Sequence, residues 1–195
     1  LEIVNQSCEG TIMEKRNLGN TGTKVGALGI GAMSFSDFYG PTNTQESHAI
    51  LKMALDNGID HIDTAKVYGM GLSEERIGQF LNTLNPKDKQ FFKIATKGGI
   101  DRKNFDDKGT VVFDNSKEFL TEELNNSLRR LGVDCVELYY VHRREADRPI
   151  EEVTETLVEF IKDGKIKQFG YSEIAPTSLE KAASVHPVGA IQSEY

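Results

Sequence analysis

Apolar runs of strand length alternate with amphipathic segments from residue 28 to residue 195, and this alternation predicts an α/β fold of the (β/α)8 TIM-barrel class. Strands separated by helices pair in parallel, in a barrel as well as in an open doubly wound sheet. An open dinucleotide-binding sheet requires a G-x-G-x-x-G turn after its first strand. Only Gly29 and Gly31 are present there, and SFSDFYGPTN follows. The barrel is therefore the favoured architecture.

The first half of the chain contains a predicted hairpin and three predicted strands. EKRNLGNTGTKVGALG, residues 14–29, has short β-prone pieces around its glycines, which is typical of an opening hairpin. Apolar runs then predict strands at 28–35, 61–65 and 91–98. The polar, turn-rich stretch 101–115 is predicted to be a long loop, and long loops in compact domains are often functional.

Start and stop signals predict two helices between these strands. Asn43 and Glu46 have the spacing of a capping box, and the helix that they open is expected to end at Gly58. A second helix is predicted to begin near Ser73 and to end before Pro86.

Three more helices and three more strands are predicted in the second half. Asn115 and Glu118 provide a second capping-box pattern, for a helix that ends at Gly132. Pro149 suits the first turn of the next helix, and the last helix is predicted at 176–185. The predicted strands of this half are 136–142, 165–172 and 188–195.

The chain is predicted to form one domain over residues 13–195. Because a barrel has eight strands and typically takes about 250 residues, six predicted strands indicate a fragment without the last two βα units. The first 12 residues, LEIVNQSCEGTI, are expected to be a leader or cloning segment, since Met13 opens a better-formed sequence. They lack the apolar core of a signal peptide.

Composition narrows the classes of function. A net charge of −7 argues against a nucleic-acid-binding surface, which needs a clustered basic face. Two cysteines, Cys8 and Cys135, do not make a disulfide framework and favour a reduced, cytoplasmic setting. No apolar run approaches the length of about 18 residues that a membrane helix needs, and no cluster of residues has metal-ligand spacing.

Polar side chains stand at the predicted carboxyl ends of consecutive strands, where barrel enzymes carry their active sites. Each of them alone has an ordinary explanation, such as a turn cap, a snorkelling lysine or a buried core histidine. On one rim they indicate a site together. The residues are Asp63 with Tyr68 in the following loop, Lys97, His142, Ser172 and Gln192.

The residue types predict proton delivery to an oxygen atom. A tyrosine has an ordinary pKa of about 10 and is a poor acid near neutral pH. A lysine ammonium beside Tyr68 would lower that pKa, Asp63 could hold Lys97 charged, and His142 could orient a carbonyl oxygen. No activated serine or cysteine is present. We therefore expect another group to supply the electrons.

Five motifs of the chain together resemble the aldo-keto reductases. They are IDTAKVYG, KIATKGG, YYVH, KIKQFGYSE and AIQSEY, in family order, and the resemblance runs from about Met13 to Tyr195. GYSEIAP and HPVGAIQSEY are most similar to the pyridoxal-reductase and auxin-induced-protein-like branch. The resemblance implies a (β/α)8 barrel that binds NADPH and reduces small aldehydes or ketones by hydride transfer.

The resemblance also implies a role for each residue of the rim. Tyr68 matches the general acid, Lys97 and Asp63 match the residues that tune its pKa, and His142 matches the residue that orients the substrate. The positions that match cofactor-binding residues are Gly31, Ala32, Met33, Ser172, Glu173 and Gln192.

Three further expectations concern how substrate and cofactor are held. Phe35, Tyr39 and the loop 101–115 are candidates for the substrate wall. Glu173 stands where the family commonly has asparagine, and an ionised carboxylate accepts hydrogen bonds but cannot donate them. In this family, loops after the seventh and eighth strands hold most of the adenosine phosphates, so weak or no NADPH binding is expected of the chain as given.

Two other functions remain open on the sequence. One is a non-catalytic cofactor-binding module of the potassium-channel β-subunit type, because fold does not dictate function. The other is a Schiff-base aldolase, whose nucleophilic lysine would also end a barrel strand, as Lys97 does. Neither the physiological substrate nor the oligomeric state follows from the sequence.

Overall fold

A computed structural model describes residues 13–19, 22–105 and 110–194. Its ten strands are β1 (Lys15–Asn17), β2 (Lys24–Gly26), β3 (Gly29–Gly31), β4 (His61–Asp63), β5 (Lys93–Gly98), β6 (Ile100–Phe105), β7 (Val111–Phe113), β8 (Val136–Val141), β9 (Ile166–Ser172) and β10 (Ala190–Gln192). The α-helices are α1 (Thr44–Asp56), α2 (Leu72–Leu81), α3 (Pro86–Phe91), α4 (Lys117–Leu131), α5 (Ile150–Lys162) and α6 (Pro176–Val185). The predicted leader, residues 1–12, lies outside the described residues.

Six parallel strands form the central sheet, in the order β3-β4-β5-β8-β9-β10. This spatial order follows the chain without reversal, whereas a doubly wound sheet reverses at its switch point. The prediction of six βα units of a TIM barrel is confirmed. The predicted opening hairpin is confirmed as well, since β1 and β2 pair antiparallel.

The sheet separates an outer core from the barrel interior. Alternate strand residues face opposite sides, so Ile94 and Tyr139 pack towards the helices while Ala95, Leu138 and Tyr140 face inward. The outer core carries most of the buried apolar side chains, from all the helices that flank the sheet. By the same alternation, Lys97 lies on the inner face of β5.

Several helix ends follow the predicted signals. The Asn43 side chain accepts a hydrogen bond from the Glu46 amide at 2.9 Å, and Glu46 accepts one from the Asn43 amide in return. Gly58 and Gly132 follow α1 and α4 with positive φ angles of 73° and 65°. These glycines end their helices because the left-handed conformation carries no Cβ penalty there. No helix among the described residues is long and apolar enough to cross a membrane.

Other boundaries differ from the prediction. The strand predicted at 28–35 stops at Gly31, and a 3-10 helix occupies Ala32–Ser36. Pro86 follows α2 and is also the first residue of α3. Asn85 caps α3, and its side chain accepts a hydrogen bond from the Asp88 amide. Proline at the first position of a helix loses no hydrogen bond, which is why a stop signal also serves as a start.

The stretch 101–115 is not an irregular loop, because β6 and β7 form an antiparallel hairpin within it. Ser116, not Asn115, caps α4 and accepts a hydrogen bond from the Phe119 amide. The Asn115 side chain instead joins the following βα loop, accepting from the Glu145 amide at 2.9 Å and donating to the Arg143 carbonyl at 3.2 Å.

Candidate active site

The Lys97 ammonium lies at the centre of the polar rim. Its side chain is fully buried, and its Nζ atom donates to the Asp63 carboxylate, to the Thr64 carbonyl oxygen at 3.0 Å and to Tyr68 Oη at 3.3 Å. An ammonium has three protons, and these three acceptors match them one to one. The predicted cluster of Asp63, Tyr68 and Lys97 is therefore brought together.

Tight glycine turns position the Tyr68 ring. A 3-10 turn spans Tyr68–Gly71, and Gly69 adopts the left-handed φ of 63°. A Cβ atom at Gly69 would lie 2.8 Å from the Ser36 Cβ atom, so only glycine fits between the two loops. The turn holds the tyrosine at the mouth of the barrel.

His142 follows β8 and stands beside the tyrosine. The two rings meet edge to face, with centroids 5.9 Å apart. Burial, followed by the positive charges of Lys97, Arg143 and Arg102, lowers the pKa of His142 to about 3. The ring is therefore neutral at physiological pH. Its Nδ1 atom is buried and has no hydrogen-bond partner among the described residues.

A cavity of about 620 Å³ opens over this cluster. Beside Tyr68 and His142 it is lined by predicted cofactor residues, which are Met33, Ser172, Glu173 and Gln192. Gln192 Nε2 donates to Asp63 Oδ2 at 3.1 Å, and an Arg143 nitrogen donates to Ser172 Oγ at 3.0 Å. The ends of β9 and β10 are thus joined to the residues around Lys97 and His142.

Gly31 and Ala32, the other two predicted cofactor residues, are not part of the cavity lining, and Glu173 has a structural contact of its own. Gly31 pairs in register with Asp63, and a Cβ atom there would meet nothing within 4 Å. Ala32 is fully buried, and its carbonyl accepts from the Ser73 hydroxyl at 2.8 Å. The Glu173 carboxylate accepts from the Glu194 amide at 2.8 Å, so it braces the chain after β10.

The two aromatic residues predicted for the substrate wall do not line the cavity. Phe35 is 1% exposed within the outer core, because the 3-10 helix puts it three residues after the buried Ala32, on the same face of the turn. Tyr39 is 73% exposed and lies outside the cavity. Phe38, between them, is the aromatic residue of this loop that reaches the cavity wall.

The stretch 101–115, which was also predicted for the substrate wall, lines the cavity with Arg102, Val111 and Phe113 of the β6–β7 hairpin. Ile100 and Arg143 line it too and were not predicted. Arg143 directly follows His142, so the rule of strand ends could have found it. Among the described residues no group of His, Cys, Asp and Glu side chains has the geometry of a metal site.

Comparison with protein families gives a match over most of the chain. The model of the Aldo/keto reductase family matches residues 27–195. The chain is 36% identical over 180 residues to aldo-keto reductase yakc (NADP(+)) of Schizosaccharomyces pombe, which covers 92% of this chain and 51% of that protein. It is also 36% identical over 179 residues to probable aldo-keto reductase 1 of Glycine max, covering 91% of the chain and 50% of the relative. The chain thus spans about half the length of these relatives.

Solved structures agree with this match. The aldo-keto reductase AKR11C1 from Bacillus halodurans (holo form) superimposes with a TM-score of 0.79 at 32% identity, over 94% of this chain and 58% of that one. The glycerol dehydrogenase AKR11B4 from Gluconobacter oxydans gives a TM-score of 0.78 at 29% identity, over 95% and 55%. The chain belongs to the aldo/keto reductase family.

Proposed function

We propose that this site reduces aldehydes and ketones to alcohols with NADPH, and that Tyr68 is the general acid. One observation carries the proposal. A fully buried ammonium, Lys97, contacts both the Asp63 carboxylate and the Tyr68 hydroxyl at the mouth of the barrel. Such a cluster suits the release of a proton from a phenol.

Each member of the cluster has a distinct task. Tyr68 donates its proton to the carbonyl oxygen and is left as a phenolate. The Lys97 ammonium, 3.3 Å from that oxygen, stabilises the negative charge. Asp63 and the Thr64 carbonyl keep the ammonium in place, so little reorganisation is needed when the charge develops. Burial strengthens these charge interactions relative to water.

His142 is suited to orienting the substrate rather than to supplying the proton. Because its pKa is lowered to about 3, the ring is neutral, with one N–H group to donate and one nitrogen to accept. A neutral donor can fix the carbonyl oxygen beside Tyr68 without adding a second proton source. This division of tasks keeps proton donation with the phenol.

The cavity residues fit a nicotinamide ring. A carboxamide both donates and accepts hydrogen bonds, and the Ser172 hydroxyl and the Gln192 amide offer both complements. Gly31 leaves open space beside Asp63, where a flat ring could approach the strand end. When bound, NADPH supplies the hydride that the carbonyl carbon accepts. A relative named with NADP(+) supports this choice of cofactor.

The apolar side of the cavity favours carbonyl compounds with an apolar body. Met33, Phe38, Met70 and Phe113 line it, and the last three remain at least 38% exposed. Apolar walls with a few placed polar groups are typical of small-molecule sites.

The contacts of Lys97 favour reduction over aldolase chemistry. A Schiff-base nucleophile must be a neutral amine, whereas Lys97 donates all three protons of an ammonium, one of them to a carboxylate. Covalent trapping of a carbonyl compound on Lys97 by borohydride, without nicotinamide, would support the aldolase instead.

Turnover of an aldehyde panel with NADPH tests the proposal directly. We expect the consumption of reduced nicotinamide to depend on aldehyde, and Tyr68→Phe to lower kcat by about 10²- to 10⁴-fold. NADPH affinity, followed by fluorescence titration, should change little because the ring stays. Tight NADPH binding without turnover of any carbonyl compound would instead favour the non-catalytic binding module.

A further inference from the structure

Glu123 is a buried carboxylate behind the site, outside the set that lines the cavity. It lies on α4 and is 5% exposed. One carboxylate oxygen pairs with Lys66 Nζ at 2.7 Å, and the other accepts a hydrogen bond from the Gly99 amide at 3.0 Å. A buried carboxylate is costly unless it is paired, so these two contacts define its place in the fold.

Both partners of Glu123 belong to segments that carry the proton-donating cluster. Lys66 lies in the β4–α2 connection, between Asp63 and Tyr68, and its amide donates to the Lys97 carbonyl at 3.3 Å. Gly99 comes two residues after Lys97. One side chain therefore joins the loop that presents the phenol to the strand end that presents the ammonium.

The backbone at Gly98, between Lys97 and Gly99, is tightly packed. A Cβ atom at Gly98 would lie 2.1 Å from Tyr139 Oη and 3.1 Å from Glu123 Oε2, so only glycine fits. The Gly98 carbonyl accepts from the His142 amide at 2.8 Å. The strand end that Glu123 holds is thus also the one against which His142 is placed.

We infer that Glu123 is a positioning residue, which holds the Tyr68 loop and the Lys97 strand end at a fixed separation from outside the cavity. This inference rests on the proposed function. We call the contacts of Glu123 with Lys66 and with the Gly99 amide the tether. Reaction rates fall steeply with small errors in the placement of catalytic groups, so the loss of this tether should affect the chemical step more than substrate binding.

The chain offers a matched control at the opposite end of the barrel. Asp60 is also 5% exposed, pairs with a lysine, Lys15, at 2.7 Å, and accepts from a glycine amide, Gly26, at 2.7 Å. It precedes β4, whereas Glu123 holds the segment after it. Glu123→Gln and Asp60→Asn therefore make the same chemical change at the two ends of one strand.

Kinetics separate positioning from general structural support. We expect Glu123→Gln to lower kcat by about tenfold or more, with the carbonyl KM within about twofold of the parent, while Asp60→Asn keeps kcat within about twofold. Unchanged kcat in folded Glu123→Gln, or an equal loss in Asp60→Asn, would overturn the inference.

A second variant and a second measurement cover failure of folding or of the assay. Lys66→Gln removes the ion-pair partner of Glu123 and leaves the Glu123 side chain itself unchanged. It should show the same loss of kcat. Hydrogen exchange at the Lys66 and Gly99 amides, which needs no activity, should quicken in Glu123→Gln and not in Asp60→Asn. If these amides exchange equally in both variants, the tether does not exist, whether or not the protein reduces carbonyl compounds.

Discussion

At the scale of single residues, the site depends on how charge is distributed in a buried space. Lys97 is a fully buried cation with three acceptors, and His142 nearby is held neutral. The two facts are linked, because the ammonium is one of the charges that disfavour a proton on the imidazole. The Lys97 ammonium therefore places one positive charge beside the phenol, and the neutral His142 ring does not add a second.

The neutral His142 predicts a pH-dependent stability. The unfolded chain protonates this histidine below its ordinary pKa of about 6.5, whereas the folded protein does so only near pH 3. The unfolded state therefore binds more protons between these values, and stability falls as the pH is lowered through this window. From neutral pH to about pH 5 the contribution is about 2 kcal/mol.

Urea unfolding of His142→Gln at both pH values measures this contribution. The variant should lose about 2 kcal/mol less than the parent between about pH 7.5 and pH 5, since glutamine does not titrate there. Equal losses in parent and variant would contradict a neutral buried His142.

Sequence reasoning found the polar groups at the strand ends because their position follows from the direction of parallel strands. It failed where a local turn decides which way a side chain points, as for Phe35 in the 3-10 helix. It also passed over Glu123, because an acidic residue in an amphipathic helix pattern is ordinarily on the surface. Only tertiary contacts reveal that this one is buried.

At the scale of helices and strands, α2 and α4 meet at close range behind β5. Glu74 on α2 is fully buried, pairs with Arg130 on α4 at 2.6 Å and accepts from the Thr96 hydroxyl at 2.6 Å. A Cβ atom at Gly78 would lie 2.1 Å from the Arg130 carbonyl oxygen, so the helices approach along the glycine. This contact sets the distance between the two helices.

Gly78→Ala should therefore destabilise the protein. In an isolated helix this change is favourable by about 1 kcal/mol, but here the added methyl group must push α4 away, at a cost of about 1–3 kcal/mol, so the net loss should be up to about 2 kcal/mol. Denaturant unfolding shows whether Gly78→Ala lowers or raises the free energy of unfolding. Gln79→Ala, on the exposed side of the same helix, should change the free energy of unfolding by less than about 0.5 kcal/mol. A more stable Gly78→Ala would show that the helices do not need this close approach.

Helix caps and apolar periodicity predicted most elements, because both signals are local. Asn43, Glu46 and Gly132 act as expected. The β6–β7 hairpin was not predicted because β6, IDRKNF, is largely polar and β7 has only 3 residues. Pairing of that kind leaves little signal in the sequence.

At the scale of the whole molecule, one rim collects groups from six strands whose order repeats the order of the chain. The rule of parallel strands therefore predicted the architecture and the side of the barrel that carries the site. Hydrogen bonds between strands that are not adjacent in the sheet could not be predicted in this way. Gln192 contacts Asp63, although 129 positions separate them in the sequence.

The proposed cofactor should stabilise the fold by mass action. At an NADPH concentration 100 times its Kd, binding adds about 2.7 kcal/mol to the free energy of unfolding, which raises the midpoint of thermal unfolding. Gln192→Leu should require more NADPH for the same shift, while Ile191→Val, at a residue outside the cavity, should not. Equal NADPH-dependent shifts in the parent and in Gln192→Leu would count against binding of the cofactor at Gln192.

The three hydrogen bonds of Lys97 have a further chemical consequence. Aldehydes condense readily with free amines, so under the proposed function an amine at this site would be open to covalent modification. Lys97 donates all three protons of an ammonium, and a nitrogen in that state has no lone pair with which to attack a carbonyl carbon. The bonds that make Lys97 useful to its neighbour also protect it from covalent damage.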